Sequence, residues 1–73
     1  QAAAAAARAR LATLSPRERQ VLDLLVLGRP NKVIAFELDI SPRTVEIHRA
    51  HLMEKMEARS LSDLVRAAIA ASD

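Results

Sequence analysis

Two histidines, His48 and His51, stand three positions apart in a segment that also carries Glu46, Arg49, Glu54 and Lys55. Histidine at helical spacing is the side chain that holds zinc or moves protons. Here the partners for either task are missing. A metal site draws on three or four ligands, and no cysteine or third histidine is present to complete one. Covalent or acid–base catalysis needs a nucleophile, a base and a group that orients the base. No such grouping is found, and no glycine-rich loop could cradle a phosphate group. The segment offers cations and hydrogen-bond donors beside small and apolar side chains, Ile47 and Ala50 among them. Such a mixture suits a nucleic acid: donors hold phosphates, and apolar groups meet thymine methyls. The expectation is a binding domain without enzyme activity, metal or cofactor.

The elements that must position these residues lie in residues 31–56. A short helix is predicted over Asn31–Leu38, a tight turn over residues 39–41, and a longer helix from Pro42 to Glu57. Asp39 tolerates the left-handed backbone that ends a helix. Ser41 is a good N-cap, and Pro42 falls at the first helical position, where its missing N–H is no loss. Ile40 and Val45 have the spacing of a hydrophobic staple, which sets the angle at which the chain enters the second helix. Two short helices joined in this way form a helix-turn-helix, whose second helix normally enters the DNA major groove. On the wheel of that helix Val45, Leu52 and Met56 face the core, with Met53 at the edge. Arg43, Glu46, Ile47, Ala50 and Glu54 fall opposite. His48, His51 and Lys55 line one flank, with Arg49 on the other side.

Composition bounds the rest. The chain has 73 residues, enough for one small domain, and 51% of them are apolar, yet Phe36 is the only aromatic. Aliphatics and alanine with one glycine describe a helical bundle, not a sheet. The net charge of +2 is mildly basic. The predicted recognition helix balances Arg43, Arg49 and Lys55 against Glu46, Glu54 and Glu57, so a single copy has a modest electrostatic hold on DNA. That points to pairing of copies. No apolar run approaches the length that spans a membrane. The arginines of the alanine-rich start follow its apolar stretch, the wrong order for a signal peptide. The chain opens on Gln1 rather than methionine, which suggests a piece of a longer protein, and a cytoplasmic location is expected from function.

Residues 1–13 read as an alanine-rich interdomain linker helix, frayed at its start, with residues 14–73 as the helix-turn-helix domain. Ser15-Pro16-Arg17-Glu18 is a strong helix start in which Glu18 closes a capping box. Val21, Leu22, Leu24 and Leu25 follow on one face, which Val26 and Leu27 widen. Gly28 ends this helix and Pro30 keeps it from resuming. Glu18 also lies near the apolar face, where a cation such as Arg49 or Lys55 from the recognition helix can meet it; the preferred account is that capping alone explains it. Asn31 is expected to cap the next helix, whose buried seam is Ile34, Ala35 and Leu38 with Val33 and Phe36 flanking. Asn31 and Lys32 at this N-terminus suit a phosphate. Ser60, with Asp63 three residues on, starts the last helix. Its main apolar face is Leu61, Leu64, Val65, Ala68 and Ile69, and Ala67, Ala70 and Ala71 form a second side of small residues.

The motifs L-S-P-R-E-R-Q-V-L at 14–22, N-K-V-I-A at 31–35, I-S-P-R-T-V-E-I-H at 40–48 and K-M-E-A-R-S-L at 55–61 recur in order. Together they resemble the LuxR-type helix-turn-helix domain, and most nearly the output domain of FixJ- and NarL-like response regulators. The resemblance implies an all-α, compact four-helix domain, here with an additional N-terminal linker helix. It implies double-stranded DNA as partner, binding as a homodimer, and a last helix that supplies the dimer contact. Joined to the wheel, it makes Arg43, Glu46, Ile47 and Ala50 the expected base contacts. Asn31, Lys32, Ser41, Thr44, His48, His51 and Lys55 are the expected backbone contacts, and Leu64, Ala67, Ala68 and Ala71 the dimer interface. Val45 matches a buried position. Many relatives carry lysine where Glu46 and Ala50 stand, so their sequence preference does not transfer. In response regulators of this type an upstream receiver domain, absent from this chain, is phosphorylated and releases or dimerises the output domain.

Two rivals stay open at this level. A sigma-factor region 4-like domain shares the helix-turn-helix and binds core RNA polymerase instead of dimerising. A protein-interaction helical bundle would turn Ile47 and Ala50 toward protein.

Overall fold

The structure, a computed structural model, describes residues 2–72, and these form five helices and no strand. They are α1 (Ala2–Leu11), α2 (Pro16–Val26), α3 (Asn31–Leu38), α4 (Pro42–Lys55) and α5 (Leu61–Ser72). Gln1 and Asp73, the outer ends of the two expected segments, lie outside the described residues.

Local chemistry explains most of the boundaries. Ser15 Oγ accepts from the Glu18 backbone N–H at 3.1 Å, and Glu18 Oε1 accepts from the Ser15 N–H at 2.9 Å, closing the expected box. Helix α2 ends in a Schellman motif: Arg29 N–H donates to Leu24 O and Gly28 N–H to Leu25 O, with Gly28 at φ 85°. Asp39 ends α3 in the left-handed region, at φ 56° and ψ 47°, as its side-chain type suggests. Ser41 Oγ then accepts from Thr44 N–H at 3.1 Å, and Pro42 opens α4.

Some boundaries differ from expectation. Pro30, not Asn31, is the N-cap of α3: its backbone is extended, and its carbonyl accepts from Val33 and Ile34. Asn31 is the first helical residue, and its side chain makes no cap. Helix α4 stops at Lys55 rather than Glu57, because Glu57 takes φ 54° and Ala58 N–H returns to Met53 O. At α5 the box is shifted by one residue. Asp63 N–H donates to Ser60 Oγ, but the Asp63 carboxylate receives the N–H of Arg59.

The core joins Val21, Leu22 and Leu25 of α2 to Ile34 and Ala35 of α3, Val45 and Leu52 of α4, Met56, and Leu64 of α5. Each large aliphatic side chain removed from water there contributes about 1.5–3 kcal/mol. Ile40 packs on this core beside the buried Val45, as a staple should. The apolar faces are narrower than the wheels suggest. Val26, Leu27, Val33, Leu61 and Ile69 are exposed, and Phe36 is 86% exposed. Helix α1 is packed on the domain over part of its length. It lies along α5, where Ala7 and Ala71 are both buried, and Arg10 Nε meets Glu57 Oε2 at 3.2 Å.

Candidate nucleic-acid interface

The outward surface of α4 is built by exclusion. Val45 and Leu52 are drawn into the core, so the positions opposite them must face away from it. Arg43, Glu46, Ile47 and Ala50 are all exposed, and Ile47 keeps 45% of its surface. Arg43 Nη1 lies 3.8 Å from Glu46 Oε1, an exposed pair that a ligand can open cheaply. The four expected base-edge residues therefore share one surface with both charges and an apolar group on it.

Two polar attachments hold the flanks of this helix. On one flank Lys55 Nζ donates to Glu18 Oε1 at 2.7 Å and to the Thr13 carbonyl at 3.3 Å. His51 Nδ1 lies 3.7 Å from Glu18 Oε2. Glu18 itself is buried, so its charge must be matched. The hydrogen bond from Lys55 and the Ser15 N–H hold its carboxyl below the usual carboxylate range, against the opposing effect of burial. This corrects one expectation: capping does not exhaust the role of Glu18. Lys55, an expected backbone contact, is exposed and donates to it.

On the opposite flank Arg49 Nη1 donates to Asn31 Oδ1 at 2.8 Å, tying α4 to the first residue of α3. Arg17 Nη1 donates to the Leu38 carbonyl at 3.3 Å, at the end of α3. Arg49, weighed from the sequence as a partner for Glu18, meets Asn31 instead, and the sequence pattern did not mark Arg17, because each contact crosses between helices. Of the remaining backbone candidates, Lys32, Ser41 and His51 are exposed, and Asn31, Thr44 and His48 are half-buried. Ser41 Oγ and Thr44 Oγ1 are 2.9 Å apart and share a hydrogen bond at the start of α4.

The expected dimer residues do not stand together on a free surface. Leu64 is fully buried in the core, because its side chain completes the contact of α5 with the rest of the bundle. Ala71 is 8% exposed on the side of α5 that faces α1. Ala67 and Ala68 are half-buried, Ala67 against the core.

A tight two-helix turn, an inward face locked by Val45 and an outward face of mixed chemistry define a helix-turn-helix DNA-binding domain. The chain belongs to the luxR family of bacterial regulatory proteins (GerE), whose family model matches residues 12–68. It is 68% identical over 63 residues to the transcriptional regulatory protein FixJ of Rhizobium meliloti (strain 1021), covering 86% of this chain and 31% of that protein. The crystal structure of full-length FixJ from B. japonicum superposes with a TM-score of 0.84 at 56% identity, over 96% of this chain and 36% of that one. The solution structure of the C-terminal transcriptional activator domain of FixJ from Sinorhizobium meliloti gives 0.77 at 67% identity, over 88% and 81% of the two chains. The chain thus spans about a third of the length of the curated FixJ protein it matches, at 31%. The all-helical LuxR-type fold expected from the motifs is the fold observed.

Proposed function

We propose that this chain is the DNA-binding output domain of a FixJ-like two-component response regulator, a cytoplasmic transcription factor and not an enzyme. Helix α4 enters the major groove with Arg43, Glu46, Ile47 and Ala50 at base edges. Asn31, Lys32, Ser41, Thr44, His48 and His51 meet the flanking phosphates. Residues 14–73 are the DNA-binding unit and residues 1–13 its connection to an upstream receiver domain; the start of the family match at residue 12 supports that division. Double-stranded DNA is the partner, bound by a homodimer, with RNA polymerase as a further contact at the promoter.

The observation that carries this reading is the exposed Ile47 on the outer face of α4, between the exposed Arg43, Glu46 and Ala50. An apolar side chain held out of the core by a rigid helix has a use at a thymine methyl. The test is selection of bound duplexes from a random library, followed by a salt titration on the duplex recovered. A single preferred sequence and an affinity that falls steeply with salt are expected. Recovery of no preferred sequence, with a flat salt response, would overturn the proposal.

A further inference from the structure

The contact between Arg49 and Asn31 resolves a question that the amide alone leaves open. A carboxamide has one accepting and one donating end, and rotation about its last bond exchanges them. Guanidinium groups only donate. The 2.8 Å contact from Arg49 Nη1 therefore holds the oxygen of Asn31 toward α4 and turns Nδ2, with both its hydrogens, the other way. Among the described residues neither of those hydrogens has a protein partner. Asn31 is the first residue of α3, and the exposed Lys32 follows it. Its own cap role is vacant, because Pro30 caps the helix without a side chain.

We infer that Arg49 is a positioning residue for DNA binding: it fixes the Asn31 amide with its N–H groups presented to a backbone phosphate. The inference rests on the proposed DNA-binding role and adds to it a residue that touches no DNA. Both side chains are half-buried, so the pair is only partly screened by water. Arg49 stands on the flank of α4 opposite Lys55, so the same bond also sets the tilt of the reading helix against α3. A phosphate donor whose orientation is set before binding loses less freedom on binding.

The experiment compares the wild-type chain with Arg49→Met, Asn31→Ala and the double variant, on the duplex recovered by selection and on an unrelated duplex. Each single substitution should weaken both duplexes about three- to tenfold, the range for one hydrogen bond of ordinary net strength. The double variant should bind no worse than the weaker single one, since both remove one unit. The slope of log affinity against log salt should be unchanged in Arg49→Met, because the phosphate is met by a neutral amide. A slope reduced by about one unit would mean that Arg49 itself neutralises a phosphate, and would overturn the inference. So would multiplied losses in the double variant. If Arg49→Met loses binding only through a lowered melting temperature, Arg49→Lys decides: a lysine restores a cross-helix bond, so stability restored without affinity also overturns it. Full affinity in Arg49→Met sinks this inference alone, whereas a wild-type chain that binds neither duplex sinks the DNA-binding reading and the inference together.

Discussion

Val45 and Ile47 are two positions apart and have opposite fates. Val45 is wholly buried, while Ile47 keeps 45% of its surface. The difference comes from a helical step of about 100° per residue, which turns position 47 nearly to the far side of position 45. Val45→Ala should therefore cost about 1–3 kcal/mol of stability through a cavity in the core. Urea unfolding will show this, and a variant of undiminished stability would contradict the packing. Ile47→Ala should leave unfolding nearly untouched. Its effect belongs in the choice of DNA: preference at one or two base pairs should change by about 1–3 kcal/mol, measured by competition among single-base variants of the operator.

At the scale of elements, α4 is clamped to its neighbours by side chains more than by its ends. Glu18 links the capping box of α2 to Lys55 of α4 in one buried carboxylate. Its folded value is depressed, so the stability it contributes is complete above the range of an unfolded glutamate. That contribution is lost as pH falls through the lowered folded value, from roughly pH 4 downward. Lys55→Met removes one partner and strands the charge. It should cost about 1–3 kcal/mol at neutral pH, reduced from the fully buried case because Lys55 stays partly solvated. Thermal melts from pH 3 to pH 7 check both points: the gap between wild type and variant should be widest at pH 7 and close in acid. A second element-scale feature is Glu57, which holds a left-handed backbone at φ 54° without being glycine. Glu57→Gly should stabilise the chain by about 0.5–1 kcal/mol, since relief of the left-handed strain exceeds the loss of an exposed ion pair with Arg10. A lowered melting temperature would mean that the Arg10 contact, and with it the seat of α1, contributes more than its exposure suggests.

The whole molecule constrains how two copies can meet. With Leu64 in the core and Ala71 beneath α1, a partner helix finds on α5 mainly Ile69 and Leu61, both exposed, and the half-buried Ala68. Ile69, 56% exposed, is the better probe than either buried position. Ile69→Glu should leave the melting temperature of the isolated chain unchanged and reduce cooperative binding to an operator with two half-sites about one helical turn apart. Footprinting on intact and half-destroyed operators gives the comparison. Equal protection of both half-sites by wild type and variant at all concentrations would remove α5 from the dimer contact.

Read one residue at a time, the chain already determines a good deal. The capping box at Ser15 and Glu18, the glycine stop at Gly28, the left-handed Asp39 and the Ser41-Pro42 start are local events, settled within a few residues. Helical periodicity on α4 separated Val45, Leu52 and Met56 from Arg43, Glu46, Ile47 and Ala50 without knowledge of any other helix. Other features carried no such mark in the sequence. Glutamate carries no mark of a left-handed stop, so Glu57 shortened α4 unannounced. A wheel shows that a face is apolar but not how much of it a neighbour covers, so Phe36, Leu27 and Ile69 were left in water while Ala7 and Ala71 were taken in. Charges at a helix surface look alike in sequence. Only the packing of α4 on α2 and α3 decided that Lys55 holds Glu18, that Arg49 holds Asn31, and that Lys32 stays exposed at the helix start. The physical reason is reach: a cap spans three residues of one chain segment, whereas the Lys55–Glu18 ion pair spans 37 and the Arg49–Asn31 hydrogen bond 18, and both exist only once the core has set the helices side by side.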